Sequence, residues 1–211
     1  MSSPGLRERK KVRTRRLIAD TAARLFAEHG YEHVTVSDVA REAEVAEQTV
    51  YNYFRTKEQL VTDREEQIRQ RLCDLVRDRR PGTSAAAAVR GFVLESVAGI
   101  RRIPPELWRG ELGHLAAISP AVQRLALELT DRQAAALAEV ITDTSAVSPG
   151  IAELQGIALA GVFRIIIGEA GRRTTEGQSQ DTIADELYPI IENVLDELDR
   201  WFTAPPRTTG P

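Results

Sequence analysis

The chain has one cysteine, Cys73, and only three histidines in 211 residues. A lone cysteine excludes an intrachain disulfide and suits a reducing compartment. Three histidines leave little for acid–base catalysis or metal binding. Two of them, His29 and His33, stand four apart, but Gly30 lies between them and no third ligand is near. A surface role at a helix end is therefore expected in place of a metal pair. Also missing are a phosphate-cradling Gly-rich loop, a paired-Cys metal spacing and a G-x-S-x-G elbow, which removes common routes to an enzyme. No stretch alternates apolar and polar residues as a half-buried strand does. No apolar run approaches the roughly 18 residues of a membrane span, and no signal-peptide core follows the basic N-terminus. The expectation is an all-α, soluble, cytoplasmic protein that is not an enzyme, takes no cofactor or metal and meets no membrane.

Hydrophobic residues make up 42% of the chain, enough for one large or two modest cores. A net charge of −3 argues against a protein coated in nucleic acid, but the charge is uneven. Residues 1–60 hold 11 Lys and Arg against 9 Asp and Glu, and the remainder holds 17 against 22. One end can face phosphate while the other cannot.

The stretch from Thr35 to Lys57 carries the most specific pattern. Val36, Val39, Ala40 and Ala43 fall at i, i+3, i+4 and i+7, one narrow apolar stripe on a charged segment. Thr35 followed by Asp38 reads as a capping box that starts this helix. After a break at Glu44, a second helix turns Val45, Val50 and Phe54 inward and leaves Gln48, Thr49, Tyr51, Asn52 and Tyr53 on or near the outside. Such an outer face offers donors, acceptors and flat apolar edges suited to phosphates and base edges in a major groove. The pattern alone also suits two helices of a small bundle with a polar outside.

Around this unit stand Leu25-Phe26, Gly30-Tyr31, Thr35-Val36, Val39-Ala40, Ala43, Val45, Thr49-Val50-Tyr51, Tyr53-Phe54 and Lys57-Glu58 with Leu60. In these residues, their order and their spacing, the chain resembles the TetR family of bacterial transcriptional repressors. The resemblance implies an N-terminal three-helix helix-turn-helix domain and a larger helical body that binds a small-molecule effector and forms a homodimer on a double-stranded DNA operator. At the matching positions it implies that Gln48, Thr49, Tyr51 and Asn52 approach the major groove while Thr35, Ser37, Tyr53 and Lys57 hold phosphates. Gln and Asn can bond adenine bidentately, and Tyr can pack a thymine methyl. Three residues depart from the family pattern: Glu44 stands for Gly in the turn, Ala46 for the capping Ser, and Gln48 for a small Gly.

Before this unit, Arg7, Arg9, Lys10, Lys11, Arg13, Arg15 and Arg16 form a basic run behind a leader, Met1–Gly5, expected to be disordered. The run reads either as an arm on DNA phosphates or the adjacent minor groove, or as a frayed helix start. Leu17, Ile18, Thr21, Ala22, Leu25 and Phe26 then make a helical stripe that Gly30 ends. A second capping box, Thr56 with Gln59, is expected to open a long helix that runs to Pro81-Gly82 and, at about 1.5 Å per residue, spans roughly 36 Å. It would touch both head and body, so that a ligand tilting it would weaken DNA binding by linkage.

The remaining segments are helical in pattern, about nine helices in all. Their breaks fall at Ile103-Pro104-Pro105, Ser119-Pro120, Ser148-Pro149-Gly150 and Gly171 to Gln180. Ser119 and Ser148 read as N-caps ahead of proline at the first helical position. Pro189 either kinks the last helix or restarts it after Tyr188. The expected domains are 1–55, arm and DNA-binding head; 56–203, ligand-binding and dimerisation body; and 204–211, a disordered tail.

Two apolar groups stand out in the body. In the last helix Ile191, Val194, Leu195, Leu198 and Trp201 belong to a stripe too broad for one neighbour, and its predecessor, Ile151 to Ala170, is apolar nearly all round. Both fit a four-helix dimer interface, as the resemblance implies, or a monomer core. The other group, Leu72, Val76, Phe92, Trp108, Glu111, His114 and Phe163, suits either an effector pocket or ordinary core. Trp108, Glu111 and His114 are expected close along one helix, and Glu111 and His114 form one E-x-x-H step, whereas a di-iron bundle needs two. Three functions compete: a ligand-responsive DNA-binding repressor or, on the same fold, an activator; an enzyme; and a helical interaction protein that has lost DNA binding.

Overall fold

The computed structural model describes residues 6–204, and every regular element in them is helical. The expected leader and tail lie outside these residues, apart from Ala204. The helices are α1 (Leu6–His29), α2 (Val36–Glu42), α3 (Glu47–Tyr53), α4 (Lys57–Arg77), α5 (Ala85–Gly99), a 3-10 turn (Ile100–Arg102), α6 (Pro105–Trp108), α7 (Leu112–Ile118), α8 (Pro120–Thr144), α9 (Pro149–Thr175) and α10 (Gln180–Thr203). The all-α expectation holds. The count includes α6, a single turn too short to leave a periodic signal.

Local chemistry explains most of the helix ends. Thr35 accepts from the Asp38 amide at 3.1 Å while Asp38 accepts from the Thr35 amide at 2.9 Å, so the first capping box forms. Ser119 accepts from Val122 N at 3.2 Å with Pro120 behind it. Ser148 precedes Pro149 but makes no side-chain cap bond. The second capping box does not form. Gln59 reaches one residue further back, accepting from Arg55 N at 2.7 Å, and Thr56 makes no side-chain cap bond. The long helix α4 stops at Arg77, short of Pro81. The break expected from Gly171 to Gln180 narrows to the residues between Thr175 and Gln180, with Gly177 at φ +82°, while Gly171 stays in α9 and serves packing. A Cβ there would lie 2.1 Å from the Gly113 carbonyl oxygen, so only glycine lets α7 and α9 approach this closely. Helix α10 runs unbroken through Pro189.

Two apolar cores result. Ile18, Ala22, Phe26, Val39, Ala40, Val50 and Phe54 fill the head, and Leu60, Leu112, Leu115 and Val122 close it. Leu17, expected in the stripe of α1, is instead exposed. The body core gathers Leu72, Val76, Val93, Leu137, Ile141, Phe163, Ile183, Leu187, Ile191 and Leu195. Full burial of side chains of this size contributes about 1.5–3 kcal/mol each. Helix α4 gives Leu60 to one core and Leu72, Cys73 and Val76 to the other. A division at residue 55 thus follows the chain but not the packing.

Other contacts hold head to body. At the α6–α7 corner a Cβ on Gly110 would lie 1.8 Å from the Ala23 carbonyl oxygen, so the corner sits directly on the backbone of α1. Ser119 Oγ donates to Glu32. Within the body, just past the far end of α4, Arg79 donates to Thr144 Oγ1 at 2.6 Å, Ser145 Oγ at 2.5 Å and Thr83 O at 3.1 Å, and also to Val76 O.

The structure corrects the interface expected on α10. Ile191 and Leu195 are almost fully buried in the body core of their own protomer, and α10 packs against both α5 and α9. Arg90 of α5 fastens that contact, donating to Glu192 at 2.7 Å and Asp196 at 3.2 Å. The broad stripe was real, but one half of it is spent at home. Val194 and Leu198 pack half-buried against the core, and Trp201 is exposed. The open apolar face lies mainly on α9, where Leu154 and Ile157 are each 51% exposed beside Ile151 and Ile165, with Ile190 of α10 also exposed. By length and composition α9 is apolar enough to cross a membrane, a property that the length of its uninterrupted apolar runs does not reveal. It packs along α8 in the most extensive helix pair of the protein.

Candidate nucleic-acid interface

The turn between α2 and α3 shows how the recognition helix is aimed. Glu44 adopts φ +53°, a left-handed conformation that costs a non-glycine residue about 1 kcal/mol. In return the chain closes α2 with a Schellman arrangement, Val45 N donating to Ala40 O at 3.0 Å and Glu44 N to Arg41 O at 3.2 Å. Ala46 then begins α3 without a side-chain cap bond. Val50 and Phe54 are fully buried and anchor α3, which turns the opposite face outward.

That face presents Gln48, Tyr51 and Asn52, all exposed, with Thr49 and Tyr53 half-buried at its edge. Gln48 Nε2 donates to Asn52 Oδ1 at 3.4 Å, so the two amides lie side by side along the helix. The basic run is helical and not a frayed end. From Leu6 onward it is the beginning of α1. Lys10, Lys11 and Thr14 line one side of a cleft of about 700 Å3, with Thr49, Asn52 and Tyr53 on the other. Arg15 is turned inward, where it pairs with Asp63, donates to Tyr53 O at 2.9 Å and stacks 4.6 Å from the Phe54 ring centroid. It thereby binds α1, α3 and α4 together. Its partners lie 38 and 48 residues away, and no local pattern signals them.

The expected phosphate holders are more occupied than the sequence pattern suggests. The Thr35 hydroxyl donates to Asp38 at 2.6 Å, and the same bonds hold the Asp38 carboxyl down to about 2. Ser37 Oγ donates to Glu47 at 2.7 Å. Lys57 Nζ lies 4.1 Å from the Tyr31 ring centroid, and partial burial lowers its pKa against the pull of Glu32 and Glu58. Burial, with Glu58 nearby, pushes the Tyr31 hydroxyl up to about 12.

The expected ligand residues do not assemble into one cavity. Leu72, Val76 and Phe163 are buried in the body core and Phe92 packs against it. Trp108, Glu111 and His114 do not share a helix, because Trp108 ends α6 while Glu111 precedes α7. Trp108 lines a cleft of about 560 Å3 with Ala27, Thr174 and Gln178. Glu111 turns onto a separate groove of about 320 Å3 between α1 and α4, where it pairs with Arg64 at 3.0 Å. His114 Nδ1 and Trp108 Nε1 are buried without a hydrogen-bond partner among the described residues. Glu65 on α4 lies in the same neighbourhood. Burial, then repulsion from Glu111, pushes its pKa up to about 7. Among the described residues no group of three or more His, Cys, Asp or Glu is placed to hold a metal.

A helix-turn-helix with an exposed amide-and-tyrosine face, flanked by lysines and carried on a large helical body, defines a DNA-binding transcriptional regulator. Comparison with known proteins agrees. Residues 18–63 match the profile of the bacterial regulatory proteins of the tetR family. The chain is 26% identical over 208 residues to the HTH-type transcriptional regulator TcmR of Streptomyces glaucescens, a match covering 93% of this chain and 88% of that protein. Over 64 residues, 30% of each protein, it is 44% identical to the HTH-type transcriptional regulator BetI of Agrobacterium fabrum. The crystal structure of native NalD from Pseudomonas aeruginosa, secondary repressor of the MexAB-OprM multidrug efflux pump, shares the fold. Its TM-score is 0.56 at 20% identity, covering 87% of this chain and 97% of that one. The head is thus similar to that of the TetR family of bacterial transcriptional regulators, and over most of its length the chain is similar to a regulator of this kind. Regulators of this family bind DNA operators, act as dimers with small-molecule effectors and are not enzymes.

Proposed function

We propose that this chain is a cytoplasmic homodimeric repressor that a small apolar or aromatic effector releases from a palindromic operator. The observation that carries this reading is the outer face of α3, where Gln48, Tyr51 and Asn52 are exposed and Asn52 shares a cleft with Lys10 and Lys11. In this reading Gln48 and Asn52 read base edges, Thr49 and Tyr51 support them, and the lysines hold phosphate. Thr35, Ser37, Tyr53 and Lys57 stay at the rim, aligning α2, α3 and α4 on the backbone of the duplex.

The partner surface is the open face of α9 with Ile190 and Trp201 of α10, which a second copy would cover. A two-fold pair of this kind sets two recognition helices roughly 34–36 Å apart, one per half-site. Coupling to the effector is supported by α4, the helix shared by both cores. A ligand that binds one tilt of α4 better than another changes DNA affinity by the same free energy, typically about 1–3 kcal/mol.

Selection of full-length protein on a randomised duplex library tests the reading. Inverted half-sites about one helical turn apart are expected, with affinity falling steeply as salt rises. A screen of apolar and aromatic compounds against the selected duplex follows, read as release of DNA. If compounds bind the protein and none releases DNA, the effector arm fails. If no half-site is enriched, DNA reading itself fails.

A further inference from the structure

Glu47 puts a carboxylate on the surface that approaches DNA. It opens α3 next to Gln48 and is exposed. No ion pair to it forms among the described residues; of the arginines of the head, Arg41 on α2 pairs with Asp38 at 2.5 Å and Arg24 with Glu42 at 2.6 Å. Its hydrogen bond is to Ser37 of the adjoining helix, whose hydroxyl donates to Oε2 at 2.7 Å. That bond ties the exposed side chain to α2, and among the described residues Oε1 has no hydrogen-bond partner. A carboxylate only accepts hydrogen bonds, and phosphates repel it. In the major groove cytosine presents a lone N4 donor, whereas adenine N6 stands beside the acceptor N7 and guanine presents two acceptors. The N-terminal residues of a recognition helix are the ones that meet base edges.

We propose that Glu47 is a specificity-determining residue that, held by Ser37, accepts from the N4 amine of a cytosine at one fixed position in each half-site. This inference rests on the DNA-binding reading above. Ser37 then acts as a positioning residue, which accounts for a hydroxyl at the rim being turned toward Glu47.

The test is selection on a randomised duplex library with full-length wild type, Glu47→Gln, Glu47→Ala and Ser37→Ala, each checked for an unchanged thermal melt. Wild type should enrich cytosine at one position per half-site by roughly 5- to 150-fold over other bases. Glu47→Ala should level that position alone. Glu47→Gln should move it toward adenine, which an amide can bond bidentately. Ser37→Ala should weaken the cytosine preference without replacing it. An unchanged motif in Glu47→Ala, with all sequences bound more tightly, would mean that the carboxylate only repels phosphate. An unchanged motif with all sequences bound more weakly would make Glu47 a structural staple between α2 and α3. Either result overturns the proposal while leaving DNA reading intact, whereas absence of any wild-type motif overturns both.

Discussion

The head and the body differ in how far their contacts reach along the chain. In the head, the cap at Thr35, the left-handed turn at Glu44 and the inward set Val39, Ala40, Val50 and Phe54 are decided within a few residues of each other. In the body, each helix has two or more neighbours, and which side meets which neighbour is settled by partners a hundred residues away, as with Arg90 and Asp196. Short-range chemistry therefore specifies the head, and long-range packing specifies the body on which the proposed effector and second subunit would act.

The sharpest way to break that comparison is to charge the two faces of the α9–α10 layer. Ile191→Arg puts an unpaired cation into the body core and should cost more than about 4 kcal/mol, so the protein fails to fold. Leu154→Arg, on the open face of α9, should leave the melting temperature of the protomer nearly unchanged but give monomers by light scattering and weak operator binding. A Leu154→Arg protein of unchanged mass in solution would rule that face out as the interface.

Next in size is the seat of the head on the body. Gly110→Ala forces a methyl onto the backbone of Ala23 and should cost about 3 kcal/mol by overpacking, visible as a lower urea midpoint. Gly91→Ala, with nothing within 4 Å of the added carbon, serves as the control and should be neutral or slightly stabilising. Equal losses in the two variants would show that the close approach at Gly110 is of no consequence.

Glu65 gives an effect that depends on pH. Its folded pKa of about 7 lies above the unfolded carboxylate value, so the folded state binds its proton more tightly. Its contribution is fully present below about pH 4 and is lost as pH rises through 7. Glu65→Gln should therefore add on the order of 2 kcal/mol at pH 8 and nothing near pH 4. A stability gain that is the same at both pH values would mean that the proton is not involved.

The smallest effect belongs to the turn. Glu44→Gly relieves the left-handed strain but frees the unfolded chain, for a net gain of about 0.5 kcal/mol. A loss in the thermal melt would show that the Glu44 side chain contributes more than its backbone costs.

The sequence carried the all-helical class, the head and its exposed reading face, because these rest on caps and 3.6-residue periodicity. It also carried the uncapped start at Ala46 and the strained turn. It did not carry Arg15 or Ser37 as internal braces, since a basic or hydroxyl side chain looks the same whether it faces solvent or a carboxylate folded back upon it. It placed Trp108, Glu111 and His114 on one helix because the corner at Gly110 breaks the chain without proline or a polar cluster. On α10 the stripe is too wide for one neighbour, as its pattern says, but width alone does not say that the half bearing Ile191 and Leu195 belongs to the protomer's own core.

The hydrogen bonds of Arg79 give α4 a fixed pivot. With 21 residues at about 1.5 Å each, the helix is a rod of roughly 30 Å whose far end is fastened to the end of α8 and whose near end carries the head. On such a lever each degree of rotation about the pivot displaces Lys57 by about 0.5 Å. Under the proposed function, a ligand lodged near the middle of the rod would have its motion amplified about twofold at α3, and a tilt of only a few degrees would move one recognition helix out of step with the pitch of the duplex.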